Sequence, residues 1–172
     1  MAEALARVSR VGGMGMVTIR ADLDRAGDAI AEAAGLAIPA RTRIVTDGRR
    51  CLGWMSPDEL LLIVPLPDLP EAIAALEQAL TGEHALVVDV SDARVMLDVT
   101  GAGAGEVIAK LCPADLDAIG ADGLRRTRAA QTAVAIWRIA DGFRLIGFRS
   151  TADYLTLILR NAAIPGSGLE PR

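Results

Sequence analysis

Trp54-Met55-Ser56-Pro57-Asp58-Glu59-Leu60-Leu61-Leu62-Ile63 and, 83 residues further on, Trp137-Arg138-Ile139-Ala140-Asp141-Gly142-Phe143-Arg144-Leu145-Ile146 are two versions of one pattern. Each opens on one of the chain's two tryptophans, reaches an aspartate four residues later and closes on Leu-Ile. Ser56-Pro57-Asp58 and Asp141-Gly142 are turn residues between runs rich in branched and aromatic side chains, so both segments read as β-hairpins.

Outward from these hairpins the repetition continues. A shift of 78 places Val17–Ala31 on Val95–Ala109 with Val17/Val95, Ala26/Ala104, Gly27/Gly105, Ile30/Ile108 and Ala31/Ala109 identical. Gly15–Arg20 reads as a strand and Asp22–Gly35 as a helix, capped by Asp22 and stopped by Gly35. After Pro39 come short strands near Arg43–Thr46, Cys51–Met55 and Leu60–Val64, then a helix over Pro67–Leu80 with Ile73, Leu76 and Leu80 on one face. In the second half, strands at Ala85–Val90 and Arg94–Val99 flank a Ser91-Asp92 turn, and a helix covers Ala102–Leu111. Cys112–Arg126 reads as irregular, Ala129–Ile139 with Phe143–Phe148 as a hairpin, and Thr151–Ala163 as a helix opened by a Ser150/Asp153 capping box. The expectation is an α+β fold: one domain over residues 1–172, internally duplicated as two β-α-β-β-type, ferredoxin-like units at about 14–82 and 85–164. Residues 165–172 read as a flexible tail.

Composition narrows the functional classes. Hydrophobic residues make up 52% of the chain and charged residues 23%, which supports a packed core and excludes disorder. The longest apolar run, Leu60–Val64, is far short of the about 18 residues that cross a bilayer. With no signal-peptide-like apolar stretch at the start, the expectation is a soluble cytoplasmic protein. Net charge is −4 with 3% aromatics, the opposite of a nucleic-acid-binding face. A single histidine and two separated cysteines, Cys51 and Cys112, leave no metal cluster. The cysteines read as reduced, buried small hydrophobes.

Few residues suggest chemistry. Gly101-Ala102-Gly103-Ala104-Gly105 invites a dinucleotide-loop reading, but the spacing is not G-x-G-x-x-G and a tight turn into a packed helix fits better. His84 lacks an accompanying nucleophile signature and reads as a loop residue. Asp89, Asp92, Asp98 and Asp115 are candidate carboxylates; Asp92 fits the turn, and Asp89 and Asp98 fit the polar side of half-buried strands. Two arginine groups, Arg41/Arg43/Arg49/Arg50 and Arg125/Arg126/Arg128, read as solvated faces, with a partner-binding patch as the competing reading. No catalytic residue and no metal ligand is assigned.

From Asp89-Val90-Ser91-Asp92-Ala93-Arg94 onward the chain resembles the gamma subunit family of heterotetrameric sarcosine oxidase. The resemblance runs through Gly101 and Ala104, Cys112-Pro113-Ala114-Asp115-Leu116, Arg126-Thr127 and Arg149-Ser150-Thr151-Ala152-Asp153-Tyr154-Leu155. In the first half it includes Trp54–Leu61. Departures stand at Met55-Ser56, Leu61, Leu111 and Thr151, all packing or turn positions. The resemblance implies a fold similar to the folate-binding domain of aminomethyltransferases. It also implies a non-catalytic structural subunit in an alpha-beta-gamma-delta assembly that demethylates sarcosine to glycine, releases hydrogen peroxide and passes a one-carbon unit to tetrahydrofolate. FAD, FMN, NAD and zinc would then belong to the partner subunits and none to this chain, with tetrahydrofolate as the ligand to test. The alternative is a stand-alone folate-binding or homo-oligomeric module, with Asp89, Asp98 or Asp115 facing the pterin. Arg94, Arg126 and Arg149 are the expected interface residues, because arginine pairs well with partner carboxylates. A homodimer is the expected state of the isolated chain, if it associates alone.

Overall fold

The computed structural model describes residues 4–169. In chain order the strands are β1 (Arg7–Val11), β2 (Met14–Arg20), β3 (Ile44–Asp47), β4 (Arg50–Ser56), β5 (Glu59–Pro65), β6 (Leu86–Asp89), β7 (Arg94–Thr100), β8 (Leu124–Ala129), β9 (Thr132–Ile139) and β10 (Gly142–Phe148). The α-helices are α1 (Leu23–Ala34), α2 (Leu69–Ala79), α3 (Ala104–Leu111) and α4 (Ala152–Ala162). They divide into a continuous unit, Gly13–Asp92, and a discontinuous one built from residues before Gly13 and after Asp92.

The continuous unit carries an antiparallel sheet in the order β3-β4-β5-β2-β6. Without the edge strand β3, this is the strand order of a ferredoxin-like β-α-β-β-α-β unit. Val17, Ile19, Leu52, Leu60 and Leu62 from the strands enclose one core with Ile30 of α1 and Leu76 of α2. Leu60–Val64 are buried throughout, so β5 hides both faces and needs no polar alternation. Asp22 starts α1 by accepting from the Asp24 N–H at 3.1 Å. Gly35 ends it at φ 66°, where its own N–H and that of Leu36 close back onto Glu32 and Ala31.

The discontinuous unit repeats the plan in the order β1-β7-β10-β9-β8. Its core joins Leu97, Val99, Ile136 and Leu145 to Ile108 of α3 and to Leu155 and Leu159 of α4. The shift of 83 holds at both ends of β5/β10 and of α2/α4, and it places Trp54 on β4 and Trp137 on β9. For β2 and β7 the strand pairing corrects the shift of 78 to 80. Val17 lies opposite Leu62, whereas Leu97, not Val95, lies opposite Leu145. A slip of two keeps every side chain on its face, which is why the shorter shift looked acceptable. The helices do keep 78, with Ala26/Ala104 and Ile30/Ile108 buried in both units.

Five expectations are revised. Residues 85–90, grouped by sequence with the second repeat, contain β6 of the first sheet, where Val87 packs on that core. The vacated edge of the second sheet is filled by β1, which the repeat bounds had left out. The stretch read as irregular up to Arg126 already contains the start of β8. Ser150 does not cap α4. A 3-10 turn over Arg149–Thr151 leads into the helix, and Asp153 instead turns outward to Arg10 of β1. The tail is hydrogen-bonded as far as Leu169. Lys110 Nζ donates to Ala162 O and Ser167 Oγ at 2.8 and 3.0 Å, and Leu169 N–H reaches the Glu106 carboxylate. Residues 170–172 of the expected tail lie outside the described residues.

Candidate functional site

The continuous unit carries a cleft of about 890 Å³ where three separate segments meet. The end of β2 and the start of α1 contribute Arg20, Asp22 and Arg25; the β4–β5 turn contributes Asp58; the approach to β6 contributes Glu83, His84 and Leu86. Topology alone brings them together, because β2 is central and its two neighbours deliver the other walls.

Its charges are matched within the cleft. Arg20 reaches Asp58 at 3.5 Å and Glu59 at 3.2 Å, the latter directly opposite it on the β2–β5 ladder. Arg25 Nε binds Glu83 at 2.8 Å. The Ser56 hydroxyl donates to Asp58 Oδ1 at 2.6 Å. That bond first, and the Arg20 guanidinium after a small opposing desolvation, hold the Asp58 carboxyl below its ordinary 3.8. His84 lines the wall, with no hydrogen bond to a nucleophile or a carboxylate among the described residues. The arrangement is suited to holding the β2–α1 and β4–β5 turns in place. It offers a ligand paired ions rather than an activated group.

The other candidates are dispersed. Asp89 Oδ1 accepts from the N–H and hydroxyl of Ser91 at 2.8 and 2.6 Å, and Ser91 Oγ in turn accepts from Met16 N–H at 2.9 Å. Asp98 is gripped by Arg144, and Asp115 caps a loop by accepting from Asp117 and Ala118 N–H. Cys51 and Cys112 are buried thiols, neither in a disulfide among the described residues, and burial pushes the Cys112 thiol up to about 11. Gly103 of the glycine run sits where a Cβ would lie 2.5 Å from the Leu5 carbonyl oxygen, so that turn serves packing of residue 5 against α3.

Of the expected interface arginines, Arg94 stacks on Phe148, its cross-strand neighbour, at 4.4 Å from the ring centroid. Arg149 follows Phe148, and its N–H donates to Ala93 O at 2.9 Å, so these two share one end of the sheet. Arg126 is exposed on β8, three strands away from β7. In the first arginine group, Arg50 pairs with Asp68 at 3.3 Å and Arg41 lies over Trp54 at 5.9 Å. Sequence reasoning took Asp58 only as a turn residue and did not single out Arg20 and Arg25. Nothing in their local spacing marks them, since they meet only through the sheet order.

The comparisons with known proteins extend along nearly the whole chain. Residues 20–165 match the model of the "Sarcosine oxidase, gamma subunit family". The sarcosine oxidase gamma subunits of Corynebacterium sp. (strain P-1) and Arthrobacter sp are each 34% identical over 155 residues, spanning 82% of this chain and 75% of theirs. Among solved structures, heterotetrameric sarcosine oxidase from Corynebacterium sp. U-96, in complex with pyrrole 2-carboxylate, matches with a TM-score of 0.87 at 28% identity, over 97% of this chain and 88% of that one. Glycine cleavage system aminomethyltransferase T from Bartonella henselae matches with a TM-score of 0.66 at 18% identity, over 90% of this chain and 45% of that one, a likeness of fold.

Proposed function

Because the chain belongs to the sarcosine oxidase gamma subunit family, we propose that it serves as the non-catalytic structural subunit of an alpha-beta-gamma-delta complex. That complex oxidatively demethylates sarcosine to glycine, releases hydrogen peroxide and hands the one-carbon unit to tetrahydrofolate. FAD, FMN, NAD and zinc reside in the partner subunits, and the site of action is the cytoplasm. The observation that carries the reading is the match to a heterotetrameric sarcosine oxidase over 97% of the chain. The pairing of charges in the charged cleft of the continuous unit supports it, since a scaffold needs no activated group.

The test is purification of a tagged chain from its native cells grown on sarcosine. Two large subunits and one small one, with a flavin absorbance spectrum, are the expected companions. A colourless chain recovered alone overturns the reading. The folate-binding alternative rests on the aminomethyltransferase fold likeness. Calorimetric titration of the isolated chain with tetrahydrofolate tests it, and the scaffold reading expects no heat of binding.

A further inference from the structure

We infer that β6 is where a partner subunit attaches: an extended segment of that subunit, flanked by basic residues, joins the sheet beside Leu86–Asp89 as a sixth strand. This rests on the reading of the chain as one subunit of a complex and assigns the partner a place on it.

The backbone supplies the first argument. β6 is an edge, paired only with β2. The Val90 N–H donates to Met16 O at 2.8 Å and sets the phase of the ladder. Val88 and Leu86 therefore bond inward to Thr18 and Arg20, while the N–H and C=O of Val87 and Asp89 point away from the sheet. No described residue bonds those outward groups. They are a template for strand addition.

The side chains supply the second. Edge strands are ordinarily blunted by charge. β1 carries Arg7 and Arg10, β8 carries Arg125, Arg126 and Arg128, and β3 ends in exposed Thr46 and Asp47. β6 alone among the described edges exposes large apolar side chains, Leu86 at 49% and Val88 at 38%. It is also flanked by hollows. The charged cleft opens at its start, and a second hollow of about 290 Å³ lies between Glu77 and Leu80 of the α2 end and Ala85–Val87. Pockets beside an edge strand give an added strand places for its alternate side chains.

Charge selects the occupant. Glu77 and Asp89 border this edge, and neither has a cationic partner among the described residues. In an antiparallel pairing of β6 with a second copy about Val87, each Asp89 would fall opposite Ala85 and gain no cation, since the nearby Glu83 already holds Arg25. A segment with lysine or arginine at its flanks supplies that cation.

The experiment co-expresses the tagged chain with the other subunits of the complex and measures their affinity for wild type, Val87→Pro and Val88→Lys. Proline at 87 removes an N–H that faces solvent, a position an edge strand tolerates. Lysine at 88 replaces an exposed side chain, so it decides the matter if Val87→Pro fails to fold by circular dichroism. Affinity is expected to fall about tenfold or more in both variants, and the Val87 and Asp89 amides to gain hydrogen-exchange protection in the wild-type complex. Assembly of Val88→Lys at wild-type affinity overturns the β6 assignment and leaves the subunit reading standing. A wild-type chain that binds none of the other subunits overturns both. A homodimer of the free chain broken by Val88→Lys overturns the choice of a basic partner segment.

Discussion

Asp98 and Arg144 face each other across the β7–β10 ladder, the guanidinium bonding both carboxylate oxygens at 2.6 and 2.8 Å. At the corresponding rung of the other unit stand Thr18 and Leu61. Both charged side chains are mostly buried, at 16% and 23% exposure. Removing one partner strands the other's charge, whereas removing both does not. Arg144→Met is expected to lower stability by about 2–3 kcal/mol in urea unfolding, and the Asp98→Thr/Arg144→Leu double variant to recover most of it.

A methyl group at position 103 has nowhere to go, because the Leu5 carbonyl oxygen and Cβ crowd the site. Gly103 N–H also donates to that oxygen at 3.0 Å. Gly103→Ala is expected to cost about 1–3 kcal/mol and to detach the segment before β1. Limited proteolysis near residue 5, followed by mass spectrometry, reads the detachment.

The Asp58 carboxyl sits below 3.8 chiefly through the Ser56 hydroxyl. A depressed carboxyl contributes stability that is complete above its unfolded value and is lost as pH falls through the lower folded one. Ser56→Ala is therefore expected to lower stability slightly at neutral pH, with the difference vanishing in acid, and to raise the Asp58 midpoint in an NMR titration. An unmoved midpoint would assign the shift to Arg20.

Cys112 is held as a neutral thiol by burial, with its folded pKa at about 11 against an ordinary 9.0. The sign is opposite to that of Asp58: the contribution is complete below pH 9.0 and fades as pH rises toward 11. At pH 8, Cys112 is expected to resist Ellman's reagent until denaturant exposes it. Rapid labelling of the native protein would contradict this.

Where the chain buries apolar side chains on a regular period, its sequence announced the result. The helices that carry Ile30 and Ile108, the helix face around Leu76, the continuous run Leu60–Val64 and the paired tryptophan hairpins all reappear as expected. Edges were harder. Arg7–Val11 and Leu124–Ala129 carry the charges that protect a sheet margin, and those charges erase the alternation by which a strand is recognised. β6 was recognised as a strand but given to the wrong half, because chain order does not state which neighbour a strand pairs with. The cleft was least legible. Arg20, Asp58 and Glu83 lie dozens of residues apart, and only the β5-β2-β6 order unites them.

The place of β1 in the chain sets a timetable for synthesis. Residues 13–92 contain every strand of their own sheet, so that unit has all its parts as soon as its last residue leaves the ribosome. β1 is made before any of them, yet its hydrogen-bonding partner β7 is not complete until Thr100. β1 must wait until all of residues 13–92 have been made, and a nascent chain stalled near residue 92 is left with β1 as an unpaired ribbon.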